Sequence, residues 1–388
     1  MKNIVIISSM GLYYDNSAGV ARMNSYVSAL SECENVKCYL LSEKYLNGKS
    51  ALVKIGNNAF TTDNVNLNNK TGLISSLRFM RYVKNITSSF DGEIIYLYYP
   101  NTKLITEIVF LTYFRMFCRA CCFREANEVR KFDSNLEQLH GVKRAVFRLN
   151  YSLVDRLSKY YDGLVCISKN ISEYFSRYNK HSILIPTLTD IQVCEKVHVD
   201  SEIHEFVFTG SVSIEKENLE ELFKAFALFD NVYTNWKLLL YGGVSGSQKD
   251  RCKKIISQLG IENKVEIKGT IPHSMIPLIL SKADCLLLSR NNNLQNYYGF
   301  STKLSEYALS GTPIIMTDTG VVSEYFKDEE NCLMTDGYTA ENFFIKLCRF
   351  ENMTVEERKK IGENARNTAM NNFYWKNYSE VLNHFLSK

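Results

Sequence analysis

The chain has 388 residues, of which 45% are hydrophobic and 23% are charged, with only 5 Pro and 19 Gly. This composition excludes collagenous, low-complexity and largely disordered proteins. The length exceeds what one hydrophobic core usually supports, so we expect two domains of ordinary size.

The formal charge of +4 is unevenly distributed along the chain. Residues 1–190 contain 24 Lys and Arg against 16 Asp and Glu, a net charge of +8, whereas residues 191–388 contain 22 against 26, a net charge of −4. A basic half suggests an anionic partner, such as nucleic acid, a membrane surface or a phosphorylated substrate. The alternative is a solvated charged surface without a partner.

The sequence predicts a cytoplasmic protein. The first residues, MKNIVIISS, lack the cleavage site of a secretory signal and predict a strand. The apolar stretch 104–123 is interrupted by Glu107, Arg115 and Arg119, which disfavours a transmembrane span. The 11 cysteines are odd in number and have no framework spacing, which fits a reducing compartment. The three at 118–122 lack a second ligand pair, so core packing is favoured over a metal site.

In the first half, short β-rich runs alternate with helical patterns. Strands are predicted at Asn3–Ser8, Val36–Leu41, Glu93–Tyr98, Arg119–Glu125 and Asp162–Ser168, and helices from about Gly19 and over Lys103–Phe117. This alternation indicates parallel strands joined by crossover helices, which is a doubly wound α/β sheet.

The second half repeats the plan. Strands are predicted at Phe206–Phe208, Leu238–Tyr241, Val265–Ile267, Cys285–Leu288 and Ile314–Thr317, with helices around Leu219–Phe226, Lys249–Leu259, Ser274–Leu280 and Lys303–Ser310. The weakly periodic segment Thr187–His204 separates the halves, so we predict a first domain over 1–190, a linker over 191–204 and a second domain over 205–371. A ligand at the carboxyl ends of both sheets would lie in the cleft between them.

The most informative segment is YYGFSTKLSEYALSGTPII, residues 297–315, which lies between two predicted strands. Gly299 allows the backbone to approach a ligand closely, and Ser301 or Thr302 is placed to cap the following helix. The free amides at the start of that helix would form a phosphate site. Glu306, one turn into the helix, can accept hydrogen bonds from the diol of a ribose. A surface role is the alternative for Glu306.

A second informative segment is VFTGSVSIEK, residues 207–216, which predicts a strand, a glycine turn and a lysine before an amphipathic helix. The Lys216 ammonium is placed to meet a diphosphate. A solvated surface position is the alternative for this lysine.

Together and in this order, the two segments resemble the donor domain of the retaining GT-B glycosyltransferases that use nucleotide sugars (glycosyl transferases group 1, family 4-like). The segment FTGSVSIEK is similar to the diphosphate signature of that family, and LLLYGG, KVEIKGTIPHSMIPLILSKADCLLLSR and GFSTKLSEYALSGTPII follow in the family's order. Asn372–Trp375 and the helix Tyr378–Phe385, within 372–388, resemble the C-terminal segment that returns to the N-terminal domain. The first half matches more loosely, through Gly19–Arg22, Arg124–Glu128 and Asp162–Ser168.

The resemblance implies two Rossmann-like domains facing each other across a cleft. It also implies transfer of a hexosyl-type sugar from a nucleotide sugar to a lipid-linked or oligosaccharide acceptor in O-antigen or capsule synthesis. A UDP-sugar is the favoured donor, and a GDP-sugar stays open. The implied donor site consists of Gly19, Gly210, Ser211, Lys216, Arg290, Tyr298, Gly299, Phe300, Ser301, Thr302, Lys303 and Glu306.

Two positions depart from the family pattern. Ser211 stands where an arginine often follows the first glycine, and Tyr298 stands where many members have the first Glu of an E-x7-E pair. We therefore hypothesise that Arg290 or Lys303 supplies the missing positive charge beside Lys216. A plain surface role is the alternative for each of them.

The implied mechanism is electrostatic. Lys216 and the amides of Phe300–Thr302 would stabilise the charge that develops on the leaving diphosphate. The resemblance implies retention of anomeric configuration without an obvious protein nucleophile. The chain has no Asp-x-Asp triplet, so we expect no metal and no cofactor other than the donor substrate itself.

On the acceptor side, the candidates lie after the strand that ends near Glu125. Glu125, Asn127 and Glu128 are candidates for contacts with the acceptor or the donor sugar, and Glu125 or Glu128 is the candidate base. Strand-end capping and surface pairing are the alternatives.

The segment Leu73–Lys84 combines apolar residues at helical spacing with Arg78, Arg81 and Lys84. This pattern favours either peripheral contact with an anionic membrane or an outer helix whose apolar stripe lies in the core.

Three other functions compete with a transferase. Nucleic-acid binding would explain the basic half, but no aromatic–basic RNA motif or helix-turn-helix pattern supports it, so no nucleic-acid partner is expected. A catalytically weakened nucleotide-sugar-binding partner would explain Ser211 and Tyr298. A nucleotide-sugar epimerase shares the two-domain architecture.

Overall fold

In the computed structural model, the described residues are 1–8, 18–42, 52–62, 73–100, 103–133, 136, 139–190 and 202–387. The chain divides into two compact units, one formed by Met1–Asp190 with Tyr374–Lys388 and the other by Ile191–Phe373. Each unit contains a predominantly parallel sheet with connecting helices, so the predicted α/β class with two Rossmann-like domains is confirmed. Most of the predicted linker, residues 191–201, lies outside the described residues.

The sheet of the first unit has the strand order β3-β4-β2-β1-β5-β6-β7-β8. All neighbours are parallel except β3 and β4, a short antiparallel pair at the edge. The strands are β1 Lys2–Ser8, β2 Val36–Ser42, β3 Leu52–Lys54, β4 Ala59–Thr62, β5 Glu93–Tyr99, β6 Cys121–Ala126, β7 Gly163–Cys166 and β8 Ser182–Leu184. Strand β1 is buried from Asn3 to Ser8, because helices cover both faces of a sheet of this kind.

The first helix, α1, begins at Ala18, which agrees with the helix predicted from about Gly19. The helices of the first unit are α1 Ala18–Ser31, α2 Leu73–Thr87, α3 Leu104–Phe110, α4 Gly141–Arg156 and α5 Lys169–Phe175. The single helix predicted over Lys103–Phe117 is divided, since a π-helical segment, Leu111–Phe117, continues α3. Helix α4 was not predicted. Its residues Val142, Val146 and Leu149 recur at helical spacing, but most of Gly141–Leu149 is exposed, so this apolar stripe does not face the core.

The sheet of the second unit has the order β11-β10-β9-β12-β13-β14 and is parallel throughout. Its strands are β9 His204–Thr209, β10 Trp236–Tyr241, β11 Val265–Gly269, β12 Cys285–Leu288, β13 Ile314–Thr317 and β14 Leu333–Thr335. Its helices are α6 Ile214–Glu217, α7 Leu219–Asp230, α8 Gly246–Gln258, α9 Ile276–Lys282, α10 Leu294–Tyr298, α11 Thr302–Ser310, α12 Ala340–Glu351 and α13 Val355–Asn372. Predicted and observed bounds of the five predicted strands differ by two residues or fewer.

The C-terminal segment contributes to the core of the first unit. After a 3-10 turn, Trp375–Tyr378, helix α14 spans Ser379–Leu386. Leu382 and Phe385 are buried in that core, and the Phe385 ring lies 5.3 Å from the ring of Phe123 on β6. Trp375 Nε1 donates to Asp190 Oδ1 at 3.1 Å, so the segment is also held at its start.

Candidate active site

The carboxyl ends of β9 and β10 meet at two glycine turns. Gly210 has φ +123° and Gly242 has φ +145°, and a Cβ added at Gly242 would lie 1.7 Å from Gly210 O. Gly210 N donates to Tyr241 O at 2.8 Å. Both positions therefore require glycine, which explains the glycine turn predicted after the strand.

Lys216 follows this turn on the short helix α6. The Ser213 hydroxyl lies at the N-cap and accepts from Lys216 N at 3.5 Å. The Lys216 side chain is half-buried, and across the described residues no carboxylate lies within ion-pair distance of it. Ser211, which replaces the family's usual arginine, is exposed. The neighbouring Glu215 points away, to Arg251 and Gln248.

A buried charge cluster lies beside the Gly210 turn. Glu217, the last residue of α6, is 1% exposed. Its Oε2 lies 2.8 Å from Lys303 Nζ on α11, and its Oε1 lies 3.5 Å from an Arg290 terminal nitrogen just after β12. The structure thus brings together the two residues hypothesised to supply positive charge, and it adds a carboxylate that was not predicted. A lone Glu after a lysine carries no signal in sequence.

Lys303 is positioned by three neighbours. Its Nζ lies 4.0 Å from the centroid of the Phe208 ring, which is a cation–π distance. A Cβ at Gly210 would lie 2.7 Å from Lys303 Cε, so the lysine chain fills the space that the glycine leaves. Burial lowers the pKa of Lys303 to about 8, although Glu217 opposes this shift. The surface alternative is therefore wrong for Lys303, and also for Arg290, whose side chain is 11% exposed.

Helix α11 begins where the sequence predicts, but its cap differs from the prediction. Ser301 occupies the N-cap position, yet its buried Oγ has no hydrogen-bond partner among the described residues. The first backbone hydrogen bond of this turn runs from Leu304 N to Ser301 O at 3.1 Å, which leaves the amides of Thr302 and Lys303 before it. Phe300 does not line an open site with its ring, since it is buried against Tyr325 and Phe373.

Gly299 and Tyr298 end the short helix α10. Gly299 has φ −75°, so it is not required for a left-handed conformation. A Cβ there would lie 2.9 Å from Gln295 O, which is too close for a real side chain. Tyr298, in place of the family's first glutamate, packs its ring against Tyr297 with centroids 5.0 Å apart.

Glu306 lies on the exposed side of α11. Its Oε1 is 3.2 Å from His273 Nε2, and this contact raises the pKa of the His273 imidazole. The next residue, Tyr307, faces the opposite way and fixes the helix to β9, since its OH accepts from Thr209 N at 2.7 Å. Glu306 is thus accessible on a helix whose position relative to β9 is set by a buried hydrogen bond.

Glu125 in the first unit is not available as a base. It is 0% exposed, and its carboxylate accepts from Arg22 Nε at 2.5 Å and from Tyr26 OH at 2.8 Å. Arg22 in turn donates to the backbone oxygens of Ile185 and Pro186. Both carboxylate oxygens of Glu125 are hydrogen-bonded and enclosed. The Arg22–Glu125 pair therefore ties α1 to β6 and to the segment after β8.

Glu128 and Asn127 lie on the loop after β6. Glu128 is 31% exposed and pairs with Arg130 at 2.7 Å, whereas Asn127 donates to Tyr99 OH. Gly19 is buried in the first turn of α1, one turn before Arg22. These residues belong to the first unit, and Gly210, Lys216, Arg290, Lys303 and Glu306 belong to the second.

The described residues contain neither a metal-binding cluster nor a helix that could span a membrane. No group of three or more His, Cys, Asp or Glu side chains among them is arranged to hold a metal ion. None of the described helices is both long enough and apolar enough to cross a membrane.

Known proteins are similar to this chain in fold. Residues 195–368 match the family Glycosyl transferases group 1. No curated protein matches the sequence. A sucrose-phosphate synthase from Thermosynechococcus elongatus has a TM-score of 0.78 at 14% identity, over 99% of this chain and 98% of that one. Anabaena HepE in complex with UDP and glucose has a TM-score of 0.67 at 15% identity, over 99% of each chain.

A third similar structure is that of the lipopolysaccharide outer core galactosyltransferase WaaB, with a TM-score of 0.62 at 15% identity over 100% of this chain and 99% of that one. The matched family domain contains the Gly210 turn, Lys216, the Glu217 cluster and Glu306. The chain therefore has the GT-B fold, carries a group 1 glycosyltransferase domain in its second unit, and is a glycosyltransferase.

Proposed function

We propose that the protein transfers a hexosyl group, with retention of configuration, from a UDP-sugar to a lipid-linked or oligosaccharide acceptor in cell-surface polysaccharide synthesis. The observation that supports it best is the cluster of Lys303, Arg290 and Lys216 around the Gly210 turn, where a diphosphate would find three cations. The UDP complex of the similar HepE structure favours uridine over guanosine as the base.

In this proposal the protein acts on the leaving group. As the bond between the sugar and the diphosphate breaks, negative charge grows on the phosphate oxygens. Lys216, Lys303 and the free amides at the start of α11 stabilise that charge, because they are held in place before the reaction begins. Glu306 accepts hydrogen bonds from the ribose diol.

A thermal-shift panel of UDP, GDP and their common sugars tests the donor. A ligand of the native state raises the melting temperature by mass action, and at 100 times Kd the gain is about 2.7 kcal/mol. We expect UDP and one UDP-sugar to raise the melting temperature, and release of UDP to require acceptor. A larger effect of GDP would contradict the uridine assignment, and binding of a UDP-sugar without release of UDP when acceptor is present would favour a weakened binding partner.

The release of UDP in the presence of acceptor also tests whether turnover is independent of metal. Three side-chain cations are close to the proposed diphosphate site, so we expect turnover to be unchanged after treatment with EDTA and gel filtration. A loss of turnover that Mg²⁺ or Mn²⁺ restores would contradict this part of the proposal. NMR of the product's anomeric proton reports whether configuration is retained.

We further propose that the first unit contacts an anionic membrane. The start of α2 exposes Leu73, Ile74 and Leu77, whereas its Phe79, Met80 and Val83 are buried. The helix therefore has a buried apolar stripe and, at its start, an exposed apolar surface. Helix α4 exposes Val142, Val146 and Leu149 to 81%, 58% and 61%, and it carries three basic residues and no acidic one before Asp155. Apolar residues interleaved with basic ones are typical of helices that bind an anionic bilayer.

Liposome flotation tests this contact. The R78E/R81E and K143E/R148E variants should lose flotation with phosphatidylglycerol vesicles, because each replaces two positive charges that face anionic lipid. K359E/K360E changes the same charge on the exposed face of α13 in the second unit and serves as the control. Equal flotation of all variants, or none with the unaltered protein, would contradict the proposal.

A further inference from the structure

Glu217 is a buried acid in a place where an anionic substrate is expected. It ends α6 directly after Lys216, and Asn218 then reverses the chain in a left-handed conformation with φ +51°. Ser289 Oγ donates to Glu217 O at 2.5 Å, which fixes the backbone beside β12. The side chain is therefore held inside the second unit and has no freedom to turn towards solvent.

The carboxylate faces two cations that come from different elements. Lys303 enters from the first turn of α11, and Arg290 enters from the loop after β12. The distance from Lys303 Nζ to Glu217 Oε2 is 2.8 Å, and an ammonium group has further N–H donors beyond the one that faces this oxygen. Arg290 Nε has no hydrogen-bond partner among the described residues. The cluster thus retains hydrogen-bond donors for a further acceptor.

The charges do not cancel. One carboxylate stands against Lys303 and Arg290, and Lys216 adds a third positive charge close enough to affect both Glu217 and Lys303. An additional anion is therefore favoured at this position. The Gly210 turn borders the cluster, because a Cβ on that residue would lie 2.9 Å from Lys303 Nζ.

We propose that Glu217 is the positioning residue of the diphosphate site: its carboxylate keeps the buried Lys303 charged and held against the Gly210 turn, ready for the phosphates of the nucleotide sugar. This inference rests on the proposed donor function and adds to it a residue that does not touch the substrate. The acid lowers the net positive charge of the site, yet without it the buried lysine would lose its proton more easily.

The protonation of these groups follows from their surroundings. The neighbouring cations hold the pKa of Glu217 at about 2, so it is ionised at every pH of interest. Burial lowers the pKa of Lys303 to about 8, and Arg290 and Lys216 lower it too, whereas Glu217 is the group that raises it. Removing the Glu217 charge therefore lowers the pKa of Lys303 further, and neutral lysine attracts phosphate less.

The experiment is calorimetric titration of UDP between about pH 6 and about pH 9, with each affinity corrected for the fraction of UDP whose terminal phosphate is ionised, since that group titrates near about pH 6. For the unaltered protein we expect affinity to fall as pH rises through about 8. In Glu217→Gln the fall should move to lower pH by about one unit or more. Glu215→Gln is the matched control, because it removes an acid from the same helix that pairs with Arg251 instead.

A lysine replacement separates charge from packing. Arginine stays charged at all these pH values, so the double variant Glu217→Gln/Lys303→Arg should bind UDP with a flat profile. If Glu217→Gln does not fold, Glu217→Asp serves instead, because its side chain is shorter by one methylene and holds the carboxylate farther from Lys303. The pH at which UDP affinity falls should then decrease by less than in Glu217→Gln. The lysine ε-carbon NMR signal that is absent from Lys303→Arg belongs to Lys303. Its pH titration without ligand gives the midpoint of Lys303 deprotonation directly.

The outcomes are distinct. If the unaltered protein does not bind UDP at any pH, the proposed donor function fails. If it binds UDP but Glu217→Gln or Glu217→Asp has an unchanged pH profile, the donor function stands and the role of Glu217 is refuted.

Discussion

At the scale of single residues, two buried charge clusters, one in each unit, differ in how completely they are satisfied. In the first unit, Arg22 uses its donors on Glu125, Ile185 and Pro186. Such a group stabilises a fold, because removing one partner of a buried pair costs about 3–5 kcal/mol. In the second unit, Lys303 and Arg290 share one carboxylate and keep unused donors. In the function that we propose, the first cluster stabilises the fold and the second binds the diphosphate.

The Gly210 turn leads to a prediction at this scale. Gly210→Ala places a side chain at φ +123° and pushes it against Lys303, so we expect a loss of about 1–3 kcal/mol in the free energy of unfolding and weaker UDP binding. Gly246→Ala is the control, since Gly246 begins α8 with nothing within 4 Å of an added Cβ. Urea denaturation measures both, and equal stability of the two variants would contradict the expectation.

At the scale of elements, short helices position the site. Helix α11 is buried along most of its length, and Tyr307 ties it to the end of β9. Helix α6 has only four residues, from Ile214 to Glu217, and it presents Lys216 and Glu217 in succession on different sides. Elements this short depend on packing for their stability, because isolated short helices are marginal in water.

Helix α14 provides the prediction at the element scale. Leu382 is 0% exposed in the core of the first unit, whereas its neighbour Val381 is 50% exposed. We expect Leu382→Ala to destabilise the first unit by about 2–5 kcal/mol and Val381→Ala to change its stability little. Chemical denaturation of both variants in a W236F background, where Trp375 is the remaining tryptophan, measures the two effects. Similar losses in the two variants would show that α14 does not pack as described.

At the scale of the whole molecule, the net charge is a poor guide to the ligand. The half with net charge −4 contains the proposed diphosphate site. A site responds to charges within a few ångströms, since salt screens exposed charges beyond about 10 Å. Lys216, Lys303 and Arg290 therefore outweigh acids elsewhere on the surface, such as Glu356 and Glu363 on α13.

The chain contains only two tryptophans, one in each unit, and this allows a test at the molecular scale. In W375F, the remaining Trp236 reports on the second unit, and in W236F, Trp375 reports on the first. UDP at 100 times Kd should raise the free energy of unfolding reported by Trp236 by about 2.7 kcal/mol and leave the value reported by Trp375 unchanged. A shift confined to Trp375 would place the nucleotide in the other unit.

Much of this architecture could be predicted from local pattern. Continuous apolar runs such as Ile4–Ile7 and Leu286–Leu288 predict buried parallel strands, and the glycine turn with Lys216 and the segment around Glu306 point to the donor site. Strands β3 and β4 at the edge of the first sheet were missed, because such short strands leave little periodic signal. Of the two capping candidates, Ser301 and Thr302, Ser301 occupies the N-cap position, but its buried hydroxyl makes no capping hydrogen bond.

The sequence by itself determined the fold class, the two-unit plan and the elements that carry the proposed donor-site residues, because hydrophobic periodicity and turn residues act locally. Only the tertiary structure decided which side chains meet. Glu125 became a buried partner of Arg22, and Glu217 became the common partner of Arg290 and Lys303, which are separated from it by more than 70 residues of chain. Contacts between distant segments depend on how the sheets bring their strand ends together, and no local pattern contains that information.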